Sequence, residues 1–391
     1  MAGLRSLPPG VLALVACLIL VTIGGMVVLW PDGSSDARLD QSLRAPTHDA
    51  EIVALQPVRC RSPEAEDCKR VRAKLSSGPD EGKVVGFSSG ESTADPQFAV
   101  GDRVRLAKNQ AVEGAPPGGD PYTFSDYDRR LPMIWLLLAF AAVVIAAGRL
   151  RGILALVGLG VSIAVIGAFI VPAILDGGSP LAVALVGSLA VMFATMGLAH
   201  GIGPKSVAAA LGTTVSLLLT AGLAVLFTEL ANITGFSSEE ATFLQGAGGD
   251  LSLEGLVLAG MVIAALGVLD DLTISQASAV LALRRGNPTQ PLRQLYRAGV
   301  GIGRDHVAAT VNTLVLAYVG ASLPILLIFS VGGTPFADAI NREAVSVQII
   351  GTLVGSIGLI AAVPLTTVIA TWLASREGVA EAAGDAHGHA H

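Results

Sequence analysis

The sequence predicts an all-α polytopic membrane bundle of about eight transmembrane helices, with a small extracytoplasmic β-rich domain placed after the first helix. Three observations predict it. The mean hydropathy is +0.65. With 52% hydrophobic and only 14% charged residues over 391 positions, the chain holds more apolar sequence than a soluble core of this length needs. The apolar residues fall into runs long enough to cross a bilayer, and a single long polar stretch, residues 31–130, separates the first run from the others.

Val11 to Trp30 is apolar throughout and has the length of a spanning helix, which Pro31, Asp32 and Gly33 terminate. Leu14 to Cys17 superficially resembles a lipoprotein cleavage site. Too few apolar residues precede it, and a longer run follows, so residues 1–30 are expected to be an N-terminal membrane anchor. Residues 31–130 are punctuated by proline and glycine and contain short β-branched runs; Phe98 to Leu106 alternates like a strand pair around a turn. A small β-rich domain, barrel-like in form, is expected there, with a poorly structured tether as the alternative because Asp36 to Ala50 shows no periodicity. Of the cysteines, Cys17 lies in the anchor, while Cys60 and Cys68 share the polar segment and would form a short-loop disulfide if that segment is extracytoplasmic.

From Leu131 onward, spans are expected at 131–149, 153–174, 181–200, 206–228, 255–274, 306–330 and 345–373. Each can cross about 30 Å at about 1.5 Å per residue. Residues 131–375 thus form a seven-helix membrane domain, and 376–391 a disordered cytoplasmic tail. Arg149, Arg151, Lys205, Arg284, Arg285, Arg293, Arg297, Arg304 and Arg376 all fall on one side of these spans, which is therefore the cytoplasmic side. The opposite short loops are acidic, with Asp176, Glu229, Glu239, Glu240, Asp250, Asp338 and Glu343 against Arg342. Both termini are then inside and residues 31–130 outside. The net charge of -6 and the lack of a basic block exclude a nucleic-acid partner.

Apolar sequence from Gly255 to Leu283 exceeds one simple crossing, so this helix is expected to be tilted, or broken near Asp270. GxxxG spacing at Gly197/Gly201, Gly299/Gly303 and Gly351/Gly355 marks places where helices can approach closely. Gly201 to Thr213 and Gly301 to Thr313 share GIGxxxVAAxxxT without gaps, which suggests a parallel internal repeat. In that alignment Lys205 corresponds to Asp305 and Ser206 to His306.

Charge at membrane depth is expensive and marks a functional or tightly paired site. Asp271, Ser275 and Ser278 share one helical face with Asp270 and Thr273 beside it, and Gln276 belongs to the same polar stretch. In the next span His306, Thr310 and Thr313 share a face, flanked by Asp305 and Asn312. These carboxylates, hydroxyls and amides with one imidazole suit proton transfer or coordination of a cation. A static network tying helices together, with Asp305 paired to Arg304 or Lys205, would use the same residues. His200 to Ser206 breaks one helix and starts another, where free amides with Lys205 and Ser206 could receive an anion; a tight turn is the plainer reading. It departs from the phosphate-loop pattern because Pro204 separates Gly203 from Lys205. His387, His389 and His391 alternate in the tail and are weak metal candidates. No nucleophile-and-base constellation, zincin helix or CxxC pair is present, so neither an enzymatic activity nor a cofactor is expected.

GLAHGIGPKSVAAALGT at 197–213, GVLDDLTISQAS at 267–278 and GRDHVAATVNTLVLAYVGASLP at 303–324 resemble the YibE/F family of bacterial multipass membrane proteins. AKLSSGPDEGKVV and FAVGDRVRL resemble that family's polar domain, and the likeness runs from about Leu75 through Trp372. The resemblance implies a bacterial inner-membrane protein with a spanning bundle and an external domain; transport is usually supposed for the family. The expected activity is that of a proton- or cation-coupled permease for a small solute, with a noncatalytic scaffold binding a protein partner through its external domain as the alternative. Expected partners are the lipid bilayer, the coupling ion and solute, and a second copy or another protein.

Overall fold

The computed structural model describes residues 7–33, 46–60, 67–90, 95–109, 120–237, 243–244 and 251–388, with side chains to Arg376 in the last helix. The chain divides into two compact units, Asp40–Ala146 and the combination of Met1–Leu39 with Ala147–His391.

The first unit holds a curled antiparallel sheet of β1 (Thr47–Pro57), β2 (Lys69–Leu75), β3 (Val84–Ser89), β4 (Arg103–Lys108) and β5 (Tyr122–Tyr127). The strand order is β3-β2-β1-β4-β5. Alternation along the strands sends Ala50, Ile52, Val71, Ala73, Leu75, Phe87, Val104, Leu106 and Tyr122 inward to one core. Ala50 pairs with Leu75 on one side and Val104 on the other, so the inward residues of three strands meet. The outer strands approach each other through Asp120, whose carboxylate accepts from the Ser88 N–H at 3.0 Å and pairs with Arg70 at 2.5 Å. Cys60 and Cys68 are disulfide-bonded. Only the second half of the expected Phe98–Leu106 strand pair is a strand: Gly101 turns the chain at φ +96, and Phe98 instead packs its ring against Phe124 at 4.9 Å and Phe87 at 5.6 Å. Burying that ring outweighs extending the strand. Helix α2 (Arg130–Gly148) ends this unit and buries none of its own residues.

The second unit is helical: α1 (Pro9–Val28), α3 (Leu150–Leu175), α4 (Pro180–His200), α5 (Pro204–Leu230), α6 (Leu253–Gly286), α7 (Leu292–Val331), a short α8 (Phe336–Asn341) and α9 (Glu343–Gly388). Together with α2, eight helices among the described residues are long and apolar enough to cross a membrane. The centre is formed by α5, α6 and α9 packed on one another, with α4 against α6, α3 and α1 against α4, and α7 against α6 and α9. Small residues allow this closeness: a side chain on Gly212 would collide with Thr366, and one on Gly358 with Thr220. Of the GxxxG pairs only Gly299/Gly303 lies in tight contact, against Val280, Thr367, Val363 and Gln276. Within α3, Ile166–Ile170 forms one wide π turn just before Pro172, whose ring cannot supply the N–H of an ordinary turn.

Three helices are longer than the sequence pattern suggested. Helix α9 continues past 373 to Gly388, so residues 376–388, expected to be a disordered tail, prolong the helix. Helix α6 is continuous through Asp270 for 34 residues, so the run from Gly255 is one long helix without a break. Helix α7 starts at Leu292, well before the expected 306, because Leu295 and Gly299 are buried there and extend the packing. The two GIGxxxVAA segments consequently differ in local structure. In the first, Gly201 sits at φ +70 and Pro204 opens α5; in the second, Gly301 and Arg304 lie inside continuous α7. Proline is acceptable in a first helical turn, whereas arginine lets a helix run on.

Candidate functional site

Asp270 sits midway along α6, on the side that faces α4 and α3. Its Oδ1 is buried without a hydrogen-bond partner, and its Oδ2 lies 3.5 Å from the Thr195 hydroxyl of α4. That hydroxyl also reaches back to the Val191 carbonyl at 2.9 Å, so it is anchored by its own helix. The carboxylate borders a cavity of about 200 Å³ lined by Ala155 and Gly158 of α3, by Thr195, Met196, Ala199 and His200 of α4, and by Ile274 of α6. Such a space holds several water molecules at roughly 30 Å³ each. A methyl group on Gly158 would stand 3.6 Å from Thr195 Cγ2, an ordinary contact, so α3 and α4 lie close at this wall without demanding a glycine.

His200 stands at the end of α4, where Gly201 and Gly203 turn the chain into α5, and Ser206 Oγ closes the turn on the Gly201 carbonyl at 2.7 Å. Lys205 is half-buried nearby and interacts electrostatically with Arg151 and Arg285, as His200 does with Lys205 and Arg151. Arg151, Lys205 and Arg285 have no acidic partner among the described residues. The cavity thus has a carboxyl group and an imidazole in its wall.

The remaining candidates are distributed elsewhere. Thr273 is buried, its hydroxyl 2.6 Å from that of Thr213 on α5. Gln276 is buried and donates to the Gly299 carbonyl at 2.8 Å and to Thr367 Oγ1 at 2.7 Å. Ser275 is half-buried, and Ser278 bonds to its own helix at the Ile274 carbonyl. Asp271 is exposed. On α7, Asp305, His306, Asn312 and Thr313 are exposed, and Thr310 turns its hydroxyl to the His306 carbonyl at 2.9 Å. No ion pair joins Asp305 to Arg304 or Lys205 among the described residues. Residues of the expected polar stripe therefore point to several neighbours, and Asp270 alone of the acids enters the cavity. His387 has no described side chain, and His389 and His391 lie outside the described residues.

Sequence reasoning passed over Thr195 and His200 as site residues. Their signal was a four-to-five residue recurrence, Thr195, Ala199 and His200, on one face of α4, but threonine is common in spanning helices and bonds its own backbone there. A second cavity of about 290 Å³ lies between the C-terminal half of α7, α8 and α9, with Tyr318 and Gln348 among largely apolar walls.

Within this arrangement one carboxylate, one hydroxyl and one imidazole at the edge can hold and pass a proton. Chelation of a divalent cation fits poorly, because no group of three or more His, Cys, Asp or Glu converges among the described residues. No curated protein and no solved structure matches the chain. The family described as YibE/F-like protein matches residues 136–376, a region that includes both Asp270 and the whole of the cavity wall. The chain belongs to the YibE/F-like family of integral membrane proteins.

Proposed function

We propose that the protein is a proton-coupled transporter of a small solute, with Asp270 as the proton-carrying group. The observation that supports this is the Asp270 carboxylate, which has one oxygen buried without a partner and the other beside a neutral hydroxyl, at the wall of a cavity within a spanning bundle. A carboxylate so placed is costly as an anion and acceptable as an acid, which is what a group that must take up and release a proton requires. His200, at the edge of the cavity, gives that proton a relay toward the side where positive residues collect, the cytoplasm by the positive-inside rule. Residues 31–130 then face the periplasm of a bacterial inner membrane, both termini are cytoplasmic, and no catalytic step is involved.

The test is substrate-unbiased flux in proteoliposomes under an imposed pH gradient. Loss of coupled flux in Asp270→Asn, with retention in Asp271→Asn, supports the assignment. Unchanged flux in Asp270→Asn removes the cavity from the mechanism.

A scaffold role is the second reading, favoured by one specific observation: Thr273 and Gln276, central to the polar stretch, are both spent on interhelical bonds. If so, the Asp270 variant should leave every flux unchanged and a partner should be retained by the external domain.

A further inference from the structure

Helix α7 differs from the other spanning helices of its unit. Its first turns are held by α6 and α9 through Leu295, Gly299 and Gly303, yet nothing in its most apolar stretch is buried. Beyond Gly303, exposed residues recur alternately four and three apart: Asp305, Ala309, Asn312, Leu316, Val319 and Leu323. A repeat of 3.5 residues is the seam of a left-handed helix pair. The outer positions are large and open, with Leu316 60%, Val319 46% and Leu323 51% exposed.

Lipid satisfies those three side chains but not the inner ones. Asn312 lies thirteen residues past Gly299, whose bond to Gln276 ties α7 to α6; at about 1.5 Å per residue it stands roughly 20 Å further out, level with the middle of the apolar part of α6. Asp305, His306 and Asn312 have no side-chain hydrogen bond or ion pair among the described residues. An amide and a carboxylate left facing hydrocarbon are expensive.

We propose that this face is the interface of a parallel homodimer, in which α7 pairs with α7 of a second copy about a two-fold axis along the membrane normal. The chemistry selects a second copy because it is self-complementary. In a parallel two-fold pair each seam residue meets its own counterpart at the same depth. Asn312 then faces another amide, which both donates and accepts, and the two Asp305 carboxyl groups meet with His306 of the opposite copy beside each, where the imidazoles offset the like charge. Ala309 and Gly320, both exposed, let the backbones approach. The proposal is independent of the Asp270 cavity, which lies on the other side of α6.

Single-cysteine variants test it in native membranes, in a Cys17→Ser background that keeps the Cys60–Cys68 bridge. With a membrane-permeant oxidant, Ala309→Cys, Leu316→Cys and Leu323→Cys should each give a disulfide-linked species of twice the chain mass. Leu314→Cys, which faces Gly355 of α9, should not. Asn312→Ala should weaken dimerisation about fivefold to thirtyfold, measured by dilution in lipid. The proposal is overturned by absence of linkage at all three seam positions, by linkage to a protein of another mass, or by linkage as efficient at Leu314→Cys as along the seam.

Discussion

Gln276 donates its side-chain amide to the Gly299 carbonyl at 2.8 Å, and through that bond α6 and α7 are fixed in register. The same amide reaches Thr367 Oγ1 at 2.7 Å, so one buried side chain joins α6, α7 and α9. Asp270 lies six residues before Gln276 and Asp305 six after Gly299, and the two helices run oppositely, which puts both acids about 9 Å from the Gln276 bond in the same direction at about 1.5 Å per residue. They share a depth but not a face: Asp270 looks into the cavity, whereas Asp305 is exposed.

The Gln276 lock predicts a stability effect. Gln276→Ala removes the second donor on the Gly299 carbonyl and the one donor on Thr367 Oγ1, and should lower stability by about 1–2 kcal/mol. Gly303→Ala should also destabilise, because a methyl group there meets Val363 and the Gln276 carboxamide. Thermal unfolding of the detergent-solubilised protein reads both; unchanged midpoints would mean that the three helices are held by apolar packing alone.

Asp270 should be the site of attack by a hydrophobic carbodiimide, which reacts with protonated carboxyl groups reachable from the membrane interior. Peptide mass analysis should find one adduct on the α6 peptide, lost in Asp270→Asn and retained in Asp305→Asn. An adduct on Asp271 in place of Asp270 would contradict the burial that singles out Asp270.

Asp80 accepts hydrogen bonds from Lys108 at 2.8 Å, Lys83 at 2.7 Å and Tyr122 Oη at 2.7 Å, clamping β4 and β5 to the turn before β3. Lys108 foremost, then Lys83 and Tyr122, hold its carboxyl below the usual range. The Arg130 guanidinium, then the Arg130 N–H, bring Asp128 down to about 2. Both depressed groups stabilise the folded domain above the ordinary carboxylate value of about 4, and that stabilisation is lost as the pH falls from there through about 2. Hydrogen exchange of the intact protein, corrected for intrinsic rates, should show β3 to β5 losing protection between pH 4 and 2 on this account. Asp80→Asn should lower protection at neutral pH and flatten that acid response.

The Cys60–Cys68 bridge spans a sequence separation of 8. Alkylation without reductant should therefore modify only Cys17, which is exposed, and reduction should add two further modifications. Removing the bridge should cost the sheet domain roughly 2–3 kcal/mol by the loop-entropy relation.

Much of this architecture is written into the chain as local pattern. Apolar runs of sufficient length are helices in a bilayer whatever they touch, because their backbone groups must bond internally, and so the eight spans were legible. The turn at Gly201 to Pro204 was legible for a similar reason, since a positive φ at glycine and proline in a first turn are local preferences. The polar stretch on α6 was also legible as a set of residue types, but its roles were not. Asp270, Thr273 and Gln276 are three residues apart, so each step turns a helix by about 300°, and which neighbour each one meets depends on helices far away in the chain. Only the packing of α4, α5, α7 and α9 around α6 decided that Asp270 would open into a cavity while Thr273 and Gln276 would hold the bundle together. Periodicity along one helix states which residues share a face; what lies across from that face is set by contacts between segments the periodicity does not connect.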